Sequence, residues 1–230
     1  MLFRSLKAAG KDVVCWNQDP LPAKLAFLDP HKLVRNPEGG RSFDCVIATD
    51  CASLERLGTT AQHIAKRRLF INIDHHPSNT RYGDVNWVSD KQASTGELIY
   101  QLLAAAKWPI TRQIADCLFT AVSTDTGSFQ YASTKPSTFQ TASHLVERGA
   151  DLGATVLAVR GIDRGTRVAA VTQSDSSNYC KVPAYLDRVW DFGSFWCLNW
   201  LSRFASQSCS MAQRYLVVDA VATPEDWQES

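Results

Sequence analysis

The sequence lacks an excess of charge of either sign. Its 24 Lys and Arg against 23 Asp and Glu leave a formal +1 over 230 residues, so no basic footprint calls for long nucleic acid as a partner. It also lacks any apolar run of about 18 residues, the length needed to cross a bilayer. The opening Met1-Leu2-Phe3-Arg4-Ser5-Leu6-Lys7 has no long apolar core of the kind a signal peptide carries. The seven cysteines are odd in number and lack metal-finger spacing, which fits reduced thiols in a cytosol better than a disulfide framework. Cys180, Cys197 and Cys209 stand 17 and 12 residues apart, a spacing that resembles no zinc ribbon. No internal repeat is evident. These absences leave a cytoplasmic protein without a membrane partner, long enough to bury a sizeable core.

What is present is organised around Asp74-His75-His76-Pro77, directly after the apolar run Leu69-Phe70-Ile71-Asn72-Ile73. A β-branched and aromatic run of this kind predicts a buried strand, and the proline ends its ladder. Three metal-competent side chains therefore leave a sheet together, unless the segment is only a polar turn. Upstream, residues 2–9 read as a helix closed by Gly10, and Asp12 to Trp16 as a strand. A single helical turn is expected at Leu25–Leu28, inside an otherwise looped stretch to Arg41. Cys45-Val46-Ile47-Ala48 is a strand leading into Thr49-Asp50, with short helices at Ser53–Leu57 and from Thr60. Strand, helix, strand over about thirty residues is a βαβ unit, so the two strands should be parallel. Asp50 and Asp74-His75-His76 would then emerge at the carboxyl edge, where open α/β sheets bind ligands.

Ser94-Thr95-Gly96-Glu97 has the form of a capping box and opens a helix through Ala106. Thr111 caps the next, which runs out at Ser123-Thr124-Asp125-Thr126-Gly127-Ser128-Phe129, a turn signal. Pro136 opens a further helix ended by Gly149. Carboxylates with imidazoles suit Mn²⁺ or a similar divalent ion. Asp50, Asp74, His75, His76 and Asp125 are thus the candidate set, although singly Asp50 could cap a helix and Asp125 could shape its turn. His31, His63 and His144 fit no constellation.

Ile73-Asp74-His75-His76-Pro77-Ser78-Asn79, with Thr49-Asp50 before it and Ser123-Thr124-Asp125-Thr126-Gly127-Ser128-Phe129-Gln130-Tyr131 after it, resembles the DHH phosphoesterase family. The branch it looks like is the bacterial bifunctional oligoribonuclease and 3′-phosphoadenosine 5′-phosphate phosphatase type. Gly10-Lys11-Asp12-Val13-Val14-Cys15, Asn86-Trp87-Val88 and Ala93-Ser94-Thr95-Gly96-Glu97 look like that branch too. The resemblance implies an α/β fold with a mostly parallel sheet flanked by helices. It also implies two Mn²⁺ ions bridged by Asp50, with His75 and Asp125 as further ligands of one of them. His76 would face the substrate phosphate or leaving group, and Asp74 would orient the loop. The implied reaction is hydrolysis of a short oligoribonucleotide or of 3′-phosphoadenosine 5′-phosphate by metal-activated water.

Two departures shape the expectations. The family opens with a strand and a His-x-x-x-Asp-x-Asp type motif, and no Asp-x-Asp precedes Asp50. A partial DHH domain over residues 1–160 is expected to lack that first strand and to expose an apolar sheet edge. After Arg160 the composition changes: residues 161–230 have three glycines and no Gly-Gly-x-His-like motif. They read as an unassigned tail, disordered or out of frame, as a shifted reading frame or truncated gene would produce. The alternative to an active phosphoesterase is therefore a catalytically inactive fragment or nucleotide-binding module.

Overall fold

The computed structural model describes residues 1–159 and 214–219. The apolar runs form six strands: β1 (Asp12–Trp16), β2 (Val34–Arg35), β3 (Cys45–Thr49), β4 (Phe70–Asp74), β5 (Val85–Val88) and β6 (Arg214–Asp219). The helices are α1 (Leu2–Ala8), α2 (Thr60–His63), α3 (Thr95–Ala105), α4 (Arg112–Asp125), α5 (Pro136–Glu147) and α6 (Leu152–Val159), with 3-10 turns at Ala23–Leu28 and Glu55–Leu57. The strands join one sheet in the order β2-β1-β6-β3-β4-β5, and every pairing is parallel.

Side-chain alternation assigns the two faces. Cys45 and Ile47 of β3 and Ile71 and Ile73 of β4 point into a core closed by α1, α3, α4 and α5. Val46, Ala48 and Phe70 point the other way, against Trp16, Phe43, Leu57 and Ile64. Both faces of these strands are covered, which is why they read as unbroken apolar runs. Burial at this density leaves Cys45 with its thiol pushed up to about 12 by desolvation. The described cysteines Cys15, Cys45, Cys51 and Cys117 form no disulfide.

The structure departs from the sequence reading at two places. The sequence reading assigns no element to β2, β5 or α6: β2 has only two residues, and β5 carries polar Asn86 on a half-covered edge strand. Asp125 is the last residue of α4, within the stretch where that helix is expected to run out. The larger departure concerns the sheet edge. The place between β1 and β3 is filled by β6, whose Tyr-Leu-Val-Val centre is a β-branched, apolar run suited to an inner parallel strand. β1 and β3 are therefore both paired along that side, where an exposed apolar edge was expected. The remainder of the expectation for residues 161–230, including Cys180, Cys197 and Cys209, lies outside the described residues. Among the described residues no helix is long and apolar enough to cross a membrane.

Candidate metal centre

Parallel pairing brings the carboxyl ends of β3 and β4 side by side, with Thr49 opposite Ile73. The chain then turns out of both strands. Asp50 adopts φ +57°, a left-handed conformation uncommon for a residue with a side chain, while its N–H still bonds the Ile73 carbonyl at 3.0 Å. That combination extends the ladder by one bond and turns the Asp50 carboxylate toward the loop after β4.

Asp74 is wholly buried, and its oxygens are spent on the loop. Oδ1 accepts from the His75 N–H at 2.8 Å and from Nδ1 of His76 at 2.7 Å; Oδ2 accepts from the Asn79 amide at 2.5 Å. Burial alone would raise this carboxyl, but the bonds from His76 and Asn79 outweigh it and hold Asp74 below the usual range. The same bond raises His76 above an ordinary imidazole, against the opposing effect of burial. Asn79 also donates to the Cys51 carbonyl at 3.2 Å and accepts from Asn72 at 2.9 Å. The Asp74–Pro77 turn is thus tied to the segment after β3.

Around Asp50 the donor atoms converge. His75 Nε2 lies 3.6 Å from Asp50 Oδ1 and 3.9 Å from Asp125 Oδ2. Ligand atoms of Asp50, His75 and His76 all fall within 4.8 Å of one another. Thr95, at the first position of α3, donates its hydroxyl to Asp50 Oδ1 at 2.8 Å. His75 is lowered by burial and also bonds the Gln92 carbonyl, an arrangement that fixes a neutral ring with Nε2 toward the carboxylates. Asp50 is raised by burial, partly offset by the two histidines and Thr95. Asp125 is raised well above an ordinary carboxyl, by burial first and then by the charges of Asp50, Asp74 and Glu97. Half-buried carboxylates that repel one another are what a divalent cation would neutralise.

The donor set fits such an ion. Two ligands held at about 2.1 Å from one cation stand roughly 3 Å apart when adjacent and roughly 4 Å when opposite, the range seen here. Two carboxylate oxygens with one imidazole nitrogen match Mn²⁺ or a similar hard-to-borderline ion. The structure thus brings together all five residues singled out from the sequence. It leaves His31, His63 and His144 elsewhere: His63 lies edge-on to Trp16, and His144 bonds the Tyr100 hydroxyl at 2.9 Å.

Three contributors went unassigned in the sequence. In the sequence, Thr95 and Glu97 show only as parts of a capping box. Ser94 does accept from the Glu97 N–H at 3.2 Å, but the Glu97 carboxyl, raised by burial, takes the Thr138 hydroxyl and the Ala93 N–H. Thr95 reaches Asp50, 45 residues away, a partner no local pattern shows. Asn79 follows Asp74 by five residues, within a loop where Asn is ordinary.

Residues 1–122 match the DHH family, N-terminal domain. This chain belongs to the DHH family. Curated DHH relatives include the bifunctional oligoribonuclease and PAP phosphatase NrnA of Thermus thermophilus, 32% identical over 159 residues, with 66% of this chain and 45% of that protein covered. The Bacillus subtilis protein of the same name is 31% identical over 105 residues, with 44% of this chain and 33% of that protein covered. The chain therefore spans between a third and about half of these relatives' length. A solved exopolyphosphatase-related protein from Bacteroides fragilis superposes with TM-score 0.62 at 22% identity, over 70% of this chain and 50% of that one. That likeness speaks for the DHH fold alone.

Proposed function

We propose that the chain is a Mn²⁺-dependent phosphoesterase that hydrolyses short oligoribonucleotides and 3′-phosphoadenosine 5′-phosphate. The observation that carries this reading is the convergence of Asp50, His75 and Asp125 at the carboxyl edge of a parallel sheet, with His76 beside them. Family membership and the names of the relatives supply the substrate class. Asp50, His75 and Asp125 would hold the metal, which when bound supplies a lowered water pKa and charge neutralisation at the phosphoryl group. Asp74 is committed to the loop by its own hydrogen bonds, so it acts as a positioning residue. Its bond to Nδ1 keeps the other nitrogen of His76 available to face the phosphate. A raised proton affinity lets that ring deliver a proton to the departing oxygen near neutral pH. Water attacks phosphorus, the phosphorus–oxygen ester bond breaks, and phosphate or a nucleoside monophosphate leaves without a covalent intermediate.

A second reading has its own support: three clear ligands among the described residues are few for two metals. On that reading the chain binds nucleotide without turning it over. Phosphate release from 3′-phosphoadenosine 5′-phosphate and nucleotide release from RNA dimers, each with and without Mn²⁺, separate the two. The phosphoesterase reading expects Mn²⁺-dependent turnover that falls by about 10³-fold or more in His75→Ala. Metal and nucleotide binding with no turnover would establish the second.

A further inference from the structure

We infer that Tyr131 and Phe139 form an aromatic platform beside the metal centre, on which the bases of a short oligoribonucleotide stack. The inference rests on the phosphoesterase reading above and adds to it the surface that holds the substrate's bases. The motif after Asp125 runs on to Gln130-Tyr131, yet the metal centre uses only the acid. The backbone beyond it bends sharply. Gly127, Ser128 and Phe129 follow one another at φ +55°, +59° and +67°, a left-handed run that residues with side chains adopt only where their surroundings impose it. Thr126, wholly buried, imposes it here. Its hydroxyl donates to the Val122 carbonyl at 2.6 Å and accepts from the Phe129 N–H at 3.0 Å. Its carbonyl accepts from the N–H groups of Gln130 and Tyr131 at 2.8 and 3.0 Å, and the Ser128 N–H donates to the Ser123 carbonyl at 2.7 Å.

The turn thus holds its rings in fixed places. Tyr131 folds back over Gly127, where a Cβ would overlap the tyrosine ring. Gly127 is two residues past Asp125, at most about 7 Å along the chain. Phe129 leans on buried Phe119 with ring centroids 5.9 Å apart, and Phe139 of α5 stacks on Phe129 at 5.4 Å with 24° between the planes. The outer rings stay in solvent, Tyr131 39% exposed and Phe139 56%. The chemistry of the centre selects their occupant. A chain of formal charge +1 has little to offer a polyanion through ion pairs. Stacking on aromatic rings supplies affinity in its place, about five- to 150-fold per base, and does so for any sequence because every base has a π-face. A base stands one ribose away from its phosphate. An RNA dimer with its phosphate at the ion therefore carries bases within reach of rings that begin beside Asp125.

Photocrosslinking tests the placement without relying on turnover. The full chain with Mn²⁺ is given an RNA dimer that carries 5-iodouridine and a non-hydrolysable methylene phosphonate link. After irradiation the joined residues are mapped by mass spectrometry. Crosslinks at Tyr131 or Phe139 are expected. Crosslinks confined to other residues would overturn the inference and leave the phosphoesterase reading standing; a dimer that neither binds nor crosslinks would overturn both for RNA. Dissociation constants of the same dimer are measured in parallel. Tyr131→Leu keeps apolar bulk over Gly127 but has no π-face, so it should weaken binding about five- to 150-fold. Tyr131→Phe should stay near wild type, and the Mn²⁺ affinity of both variants should not change. Wild-type dimer affinity in both Tyr131→Leu and Phe139→Leu would also overturn the inference. If the leucine variants do not fold, the crosslink map of the unsubstituted chain decides.

Discussion

At the scale of single residues, the centre is built from groups whose environments push their proton affinities apart. Asp74 and His76 form one unit, in which their short mutual bond raises the imidazole and, with the bond from Asn79, holds the acid low. Asp50 and Asp125 form another, both raised mainly by burial. The sign of the second effect is definite. A carboxyl raised by folding costs nothing below its unfolded value, near 3.9; above it the folded chain binds more protons than the unfolded one, so stability falls as pH rises through the raised value. Asp125→Asn removes that cost. In metal-free protein the variant should melt above wild type by several degrees at pH 7.5, each ~1 kcal/mol being about 2–4 °C in a chain of this size. The gain should shrink toward pH 4. The same variant should bind Mn²⁺ far more weakly, stability exchanged for function at one position. Melting curves across pH check the first part and Mn²⁺ titration the second; a destabilised metal-free variant would sink the argument.

At the scale of elements, the centre depends on close contact between α3 and α4, because α3 supplies Thr95 and α4 supplies Asp125. Gly96 makes that contact possible. A Cβ placed there would sit 3.0 Å from the Ala121 Cβ and 3.4 Å from the Leu118 carbonyl. Gly96→Val should force the helices apart, cost about 1–3 kcal/mol as overpacking usually does, and weaken Mn²⁺ binding through Thr95. Chemical denaturation and metal titration on the same variant check both effects; wild-type values in both would refute the coupling. Elements were also the scale best legible in the sequence. β3 and β4 announced themselves because burial on both faces makes a parallel strand read as one apolar run, and α3 to α5 because caps and breakers mark their ends. β2 and β5 escaped because short or half-covered edge strands carry little period-two signal. β6 escaped because its value as a strand comes from β1 and β3, whose paired residues lie 202 and 170 positions away in sequence. The five candidate residues were legible because each ends or follows an apolar element. Thr95 and Asn79 were not, since their partners are set by tertiary packing and their local patterns already had an ordinary explanation.

At the scale of the whole molecule, the centre is a junction. β3 gives Asp50, the loop after β4 gives His75 and His76, and α4 gives Asp125. These elements belong to stretches far apart in the chain, so an ion bound there links the sheet to its helical layer and favours the folded state by mass action. Mn²⁺ at a hundredfold excess over its dissociation constant contributes about 2.7 kcal/mol, or roughly 5–10 °C in melting temperature for this size of chain. The increment should also depend on pH. Asp50 and Asp125 must be deprotonated to accept the ion, and burial makes them hold their protons longer than exposed carboxyls do. His75, lowered by burial, stays neutral to more acid pH than an exposed imidazole and does not compete until later. Raising the pH from 5 to 7.5 should therefore enlarge the Mn²⁺-induced rise in melting temperature, with protons released on binding at pH 5 and fewer at 7.5. Calorimetric melts at the two pH values, and titrations in two buffers of different ionisation enthalpy, measure both quantities. An increment equal at both pH values, with no proton release, would mean that the ion binds away from these carboxyls.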